Sequence, residues 1–333
     1  MTISLSRRTV LRTSGAAAIV ASSGLSASQA FSQSARKLTF AWNASAFCLS
    51  PVVVAQERGY FEKNGLQVDL INYTGSTDQL LESLATAKAD AAVGMIHRWL
   101  KPLEAGFDVK IVGSSHGGCV RLVGVKEAGI TDLQKLKGKS IGVSEIASPG
   151  KNFFSILLKK NGIDADKDVT WRQYPADLLD IAVNKGEIQA IADGDPTLYL
   201  IEKRNKGRYV ELASNLSGEY KDKVCCIVGA RGELVRRDRP TVAALVRSIV
   251  QASDFVAENP NESAKLFAKY SPKVPVEDLQ ALLGTLTHAH HPVGKNLRDE
   301  VEFYARDFKS VGVLKQSTDP VKLANHVAVD VLA

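Results

Sequence analysis

Cysteine is scarce in this chain. Cys48, Cys119, Cys225 and Cys226 are the only four in 333 residues, and four scattered cysteines in a chain this long exclude a disulfide-stapled scaffold. Long apolar runs are missing too. The one N-terminal apolar stretch is interrupted by serines and falls short of the ~20 residues that span a bilayer. An excess of one charge sign is also lacking. Lys and Arg number 42 against 36 Asp and Glu, and Arg7, Arg8 and Arg12 fall in the first thirty residues, which hold no acid. The remainder is too evenly balanced to point to nucleic acid. No P-loop spacing occurs, which removes the commonest nucleotide cradle. What is present is an ordinary globular composition, 45% hydrophobic and 23% charged. It excludes wholesale disorder, and the length suffices for one large domain or two of usual size.

The N-terminus reads as an address. SRRTVLR (6–12) precedes the small, apolar run TSGAAAIVASSGL and then SASQA, where Ser28 and Ala30 have the small-residue spacing of a signal-peptidase site. Residues 1–30 are expected to be a signal peptide cleaved after Ala30. The pair Arg7–Arg8 resembles the twin-arginine motif, with Val10 where that motif prefers Phe. No cysteine follows the cut, so a lipoprotein is not expected, and the mature protein is expected in the periplasm.

From Lys37 onward the hydrophobic pattern alternates strand and helix. KLTFAWN (37–43) predicts a strand, PVVVAQERGYFEKNG (51–65) a proline-started helix ending at glycine, and LQVDLIN (66–72) the next strand. A helix follows from about Thr77 to Lys88 with Leu80, Leu81, Leu84 and Ala87 on one face, then the short strand ADAAVG (89–94). The order strand, loop, leucine-faced helix, Lys-small-acid turn and apolar strand recurs in DVTWRQYPADLLDIAVNKGEIQAIADGD (168–195). There Lys185-Gly186-Glu187 answers Lys88-Ala89-Asp90. Two copies of one unit predict two similar α/β lobes, each with a mostly parallel sheet. FDVKIVG (107–113) closes the first pattern, VRLVGVKE (120–127) opens the second, and KVCCIVGARGEL (223–234) leads back. The HGGC (116–119) and CC (225–226) segments thus fall at two crossovers. Four helices, from about Arg239, Glu262, Val276 and Asn296, complete the first lobe.

These segments, together with LKGKSIGV and RPTVAALVRSIVQASDFVAENP, resemble the periplasmic solute-binding proteins of ABC importers, in the nitrate, sulfonate, taurine and bicarbonate group that also includes pyrimidine-precursor binders. The resemblance covers nearly all of the mature chain. It implies an α/β, two-lobed periplasmic-binding-protein fold of type II, with lobe 1 from 36–117 and 226–333 and lobe 2 from 118–225, hinged at the crossovers. It further implies a monomer that closes on a small polar or anionic organic solute and delivers it to an inner-membrane permease, with no nucleic acid, cofactor or resident metal.

Candidate solute contacts follow from where ligands meet such sheets, at the carboxyl ends of strands and at helix N-termini. The loop after the first strand contributes Asn43 and Cys48, with Ser50 as an alternative helix cap. The loop after the second contributes Gly75, Ser76 and Thr77. In the second lobe Ser148 and Gly150 turn into a helix, with Lys151 adding charge, and Asp193 and Asp195 end a strand. Two carboxylates there disfavour a bare inorganic anion and suit an amine or amide N–H. Asp195 also fits as a helix cap. His97 ends a short strand, and Trp99 is either a stacking face or core. His116, Gly117 and Cys119, with Gly118, are read as a hinge loop lining the pocket, its glycines allowing unusual backbone angles. Cys225 is the pocket candidate from the CC pair; adjacent Cys225 and Cys226 face opposite sides if they lie on a strand, so at most one of them faces the cleft, and which one is left open by the sequence.

Two chemical alternatives stand beside binding. A metal site needs three or four donors, and His97, His116, Cys119 and one of Cys225 or Cys226 would converge if the crossovers lie side by side. The cluster His288, His290 and His291 reads as a solvent-facing turn. The yeast-type pyrimidine synthase, which shares the general fold, uses its own histidine as substrate with iron held by a cysteine-rich run. The CC pair here is shorter than that run, and an export signal would separate the chain from cytosolic cofactors.

Overall fold

The computed structural model describes residues 35–73, 77–146, 148–272 and 274–333, Thr77 by its backbone alone. The proposed signal peptide and the candidates Gly75 and Ser76 lie outside the described residues.

Among the described residues, ten strands form two five-stranded sheets. The first contains β1 (Arg36–Trp42), β2 (Leu66–Asn72), β3 (Ala91–Met95) and β4 (Val109–His116). The second contains β5 (Val120–Val125), β6 (Lys139–Val143), β7 (Val169–Gln173), β8 (Ala190–Gly194) and β9 (Tyr209–Ser214). The chain then returns to the first sheet as β10 (Cys226–Arg231). Spatial orders are β2-β1-β3-β10-β4 and β7-β6-β8-β5-β9, which are the same topology. In each sheet four strands run the same way, three of them directly paired, and the strand that has just crossed over is inserted antiparallel between the third and the last. The sequence repeat of 65–94 in 168–195 corresponds to β2–β3 and β7–β8. The mixed architecture is that of periplasmic-binding-protein folds.

Local chemistry explains most elements. The edge strand β2 alternates burial, as a one-sided strand must, whereas β3 is buried along four consecutive residues between β1 and β10. Leu80, Leu81 and Leu84 seat the helix Thr77–Ala85 in the core. Ala87 does not follow them: it is exposed at φ 57, so the helix has already ended. The single helix expected over 51–65 is two, Ser50–Glu57 and Tyr60–Lys63, because Gly59 takes φ +67 between them. The long helix Arg239–Glu258 packs on Ser50–Glu57 and on β4. Trp99 is core, fully buried over two glycines. A Cβ at Gly94 would lie 2.3 Å from its ring and one at Gly229 2.5 Å.

One buried cluster runs from Leu38 on the first sheet through Leu122 and Ile141 on the second to Phe153 on the helix Pro149–Lys160, and a smaller one around Val123 and Leu198 covers the second sheet's other face. Residues Ala35–Ala333 form one compact unit. Among the described residues no helix is long and apolar enough to cross a membrane.

Candidate functional site

Both crossovers pass the same buried place. The first runs from His116, the last residue of β4, through Gly117 and Gly118 to Cys119 and β5. The second enters β10 at Cys226, which the register sets opposite both His116 and Met95. The short 3-10 turn Phe47–Leu49 brings Cys48 to the same point. One ligand-type atom from each of Cys48, His116, Cys119 and Cys226 lies within 4.8 Å of the other three, all four residues buried. Convergence of the crossovers therefore occurs, with Cys48 in the place proposed for His97 and with Cys226 as the partner from the CC pair. Cys225 is not one of these four but borders them, its Sγ 3.4 Å from Cys119 Sγ and 4.0 Å from His97 Nδ1.

The HGGC loop is fastened rather than loose. Gly117 N donates to Thr287 O at 3.0 Å and Gly118 N to Thr287 Oγ1 at 2.8 Å. Asn215 Oδ1 accepts from both Cys119 N and Val120 N at 2.9 Å. Neither glycine has the positive φ expected of a hinge glycine. They are small because space is lacking: a Cβ on Gly117 would meet Thr287 Oγ1 at 2.1 Å, and one on Gly118 would meet Asn215 O at 2.3 Å. Thr287 and Asn215 are neighbours that local spacing could not reveal, since they lie 169 residues from Gly118 and 96 from Cys119 in the sequence.

The histidine cluster is not a solvent-facing turn. His288 is buried, donates from Nε2 to Cys48 O at 3.0 Å, and stacks obliquely on His116 with centroids 5.3 Å apart. Burial, reinforced by neighbouring His116, drives its pKa down to about 3, so it is neutral at physiological pH. His290 bonds Glu300 at 2.9 Å and His291 approaches Asp254 at 3.1 Å. Glu300 also accepts from Val224 N at 2.6 Å and steadies the strand entry beside Cys225.

A second, polar cluster lies where the sheets' carboxyl ends meet. Arg98, just after β3, pairs with Asp78 at 2.6 Å. Glu145, after β6, lies within electrostatic reach of Asp78, Asp193 and Arg98; burial first, and then the two aspartates, raise its pKa. Asp193 at the end of β8 is raised to about 6, chiefly by burial and against hydrogen bonds from Gly194 and Ser144. Its Oδ2 and Arg98 Nε have no hydrogen-bond partner. Sequence reasoning misses Arg98 and Glu145, although they lie three residues after the end of β3 and two after the end of β6.

Other candidates serve the scaffold. Asp195 accepts from Arg121 Nε at 3.0 Å and from Tyr199 N at 3.1 Å, so its carboxylate is already engaged and it caps the next helix as well. Ser148 Oγ accepts from Lys151 N at 3.0 Å, the N-cap of the helix Pro149–Lys160. Gly150 is small because a Cβ would press on Ala192 O at 3.1 Å. Lys151 lies over Trp171, 5.9 Å from the ring centroid, rather than adding charge to a cradle. Ser50 makes no cap bond. Asn43 closes its own loop by accepting from Ser45 N at 2.8 Å. His97 is a buried junction residue, its ring edge-on to Phe153 and Tyr304 and its carbonyl accepting from Asn152 Nδ2 at 2.9 Å, across from the second sheet's first long helix.

Two like-folded sheets of this topology are the periplasmic-binding-protein fold. Residues 47–263 match the family described as NMT1/THI5 like, and the chain belongs to that family. A Brucella abortus (strain 2308) chain described as a binding protein is 30% identical over 223 residues, 66% of this chain and 67% of its own. An Aspergillus parasiticus 4-amino-5-hydroxymethyl-2-methylpyrimidine phosphate synthase is 26% identical, over 87% of this chain and 81% of its own. Among solved structures, the alkanesulfonate-binding protein SsuA of Xanthomonas axonopodis pv. citri, bound to MOPS, superposes with TM-score 0.71 at 19% identity, covering 88% of this chain and 98% of that one. The periplasmic nitrate-binding protein NrtA of Synechocystis PCC 6803 gives 0.67 at 16% identity, covering 88% and 86%. At these identities the structures speak for the fold.

Proposed function

We propose that this chain is the solute-capturing component of an ABC importer, working as a monomer in the periplasm and delivering a small polar or anionic organic solute to an inner-membrane permease. Its lobes would be 36–117 with 226–333 and 118–225, moving about the two crossovers. The observation that carries the reading is the polar cluster at the facing strand ends. Arg98 Nε and Asp193 Oδ2, one from each sheet, are a buried donor and a buried acceptor without partners. Such a pair suits a solute with both an anionic group and an N–H or O–H, and suits bare nitrate poorly. The solutes of the structural neighbours, MOPS among them, support the class and leave its member open.

Thermal shift of the purified chain with taurine, alkylsulfonates, nitrate, aromatic acids and pyrimidines tests this. A true solute at a hundred times its Kd should add about 2.7 kcal/mol to stability, and Arg98→Ala should abolish the gain. A flat response across all classes overturns the reading, as would a preference for nitrate over every organic acid. Formation of a pyrimidine product by the purified chain would replace binding with the synthase activity of the fungal relatives.

A further inference from the structure

The four side chains at the crossovers form a donor set that solute binding at the strand ends does not use. Cys48, Cys119 and Cys226 bring three sulfurs and His116 one imidazole, all in the buried core, with mutual separations of at most 4.8 Å. A tetrahedral ion at the usual ~2.3 Å zinc–sulfur distance needs sulfur–sulfur edges of about 3.8 Å. Side-chain rotations that shorten the longest separation by roughly one ångström close the set. His116 supplies an independent pointer. It is fully buried, and both ring nitrogens lack a hydrogen-bond partner. An imidazole with neither nitrogen satisfied is costly in a core unless one of them binds something.

The backbone around each donor is already fixed. His288 holds the Cys48 carbonyl, Asn215 holds Cys119 N, and Cys225 N donates to His116 O at 3.1 Å. Cys226 is locked by strand pairing on both sides. Such outer support is what orients ligands at metal centres. Three thiols and one imidazole at a buried point select a thiophilic, tetrahedral ion over calcium or magnesium.

We propose that Cys48, His116, Cys119 and Cys226 bind one thiophilic transition-metal ion of the zinc class, in a closed Cys3His site that ties the β1 loop to both crossovers. Each thiol that binds as thiolate releases its proton to solvent, so metal uptake falls as pH is lowered. Cys225 and His97 lie outside the set. The site is separate from the strand-end polar cluster, so it stands or falls independently of the solute.

The test is elemental analysis of the full chain, purified under reducing conditions and incubated with zinc alone, with thiols counted after denaturation. About one equivalent of zinc is expected in the parent and in Cys225→Ser, falling below roughly a tenth in His116→Ala and Cys119→Ser. Should those variants fail to fold, cobalt(II) added to the parent chain gives a second readout. Thiolate-to-cobalt charge-transfer and intense tetrahedral bands are expected, and a pale octahedral spectrum overturns the site. No uptake of zinc by a chain with four reduced thiols also overturns it. So does a native Cys119–Cys225 disulfide, whose sulfurs already stand 3.4 Å apart, or loss of zinc in Cys225→Ser with retention in Cys226→Ser.

Discussion

Replacing Asn215 by alanine tests how the crossover loop is held. The residue is fully buried, and its Oδ1 accepts two backbone N–H groups, those of Cys119 and Val120, each at 2.9 Å. Alanine leaves both donors without a partner inside the protein. An orphaned buried donor costs about 1–3 kcal/mol, and entry of one water into the vacated space would recover part of it, so the net loss should be about 3 kcal/mol. For a chain of this size that corresponds to a fall of roughly 5 °C in Tm. Urea unfolding monitored by circular dichroism gives the free energy directly. Asn215→Asp is the control: it keeps the acceptor, and Nδ2 has no partner to lose, so it should be the milder of the two substitutions above pH 7. A loss below about 1 kcal/mol in Asn215→Ala would refute the claim that this amide fixes the loop.

Gly118→Ala should destabilise by about 3 kcal/mol in the same assay, because its Cβ would stand 2.3 Å from the Asn215 carbonyl oxygen, and a stability equal to the parent's would show that the backbone there can yield. Asp193, raised to about 6 by burial, binds its proton more tightly folded than unfolded, so its contribution is present below pH 4 and is lost as pH rises through 6. Asp193→Asn should therefore gain on the order of 1–3 kcal/mol over the parent at pH 8 and little at pH 4, and a pH-independent difference would remove Asp193 as the cause. His288 has the opposite sign: its folded pKa of about 3 means stability is lost as pH falls from 6.5 toward 3. His288→Gln, which keeps an N–H for Cys48 O, should flatten that acid limb, and an unchanged slope between pH 6 and 4 would count against its buried neutrality.

The alternation of elements was legible because burial leaves a periodic record. Leu80, Leu81 and Leu84 mark a helix face, and the recurrence of β2–β3 in β7–β8 is visible as repeated text because both copies meet the same packing demand. What periodicity does not encode is where a pattern stops. Gly59 at φ +67 splits one apparent helix, and Ala87 at φ 57 ends another early, since a turn is decided by single-residue backbone energetics rather than by an apolar stripe. The antiparallel insertion of β5 and β10 was equally hidden, because a strand reads the same in either direction.

Site residues divide along the same line. His116, Cys119 and the CC pair could be placed at the crossovers from chain order alone, so their convergence followed once the crossovers lay side by side. The donor from the β1 loop is Cys48 rather than His97, and this could not be read. Both follow strand ends of the first sheet, and the choice depends on which faces β10 Cys226 and which packs against Phe153 and Tyr304. Asp195 shows the converse case. A carboxylate at a strand end looks available for a ligand until a cation 74 residues away, Arg121, proves to be bound to it at 3.0 Å. Desolvating such a carboxylate without that cation would be costly. Strand-end position therefore nominates a contact, and the fate of its hydrogen-bonding atoms decides it. By that criterion Arg98 and Asp193, each with one buried atom still unpartnered, outrank every serine and glycine that spacing suggested, and a solute that satisfies both should lose most of its affinity when either is replaced.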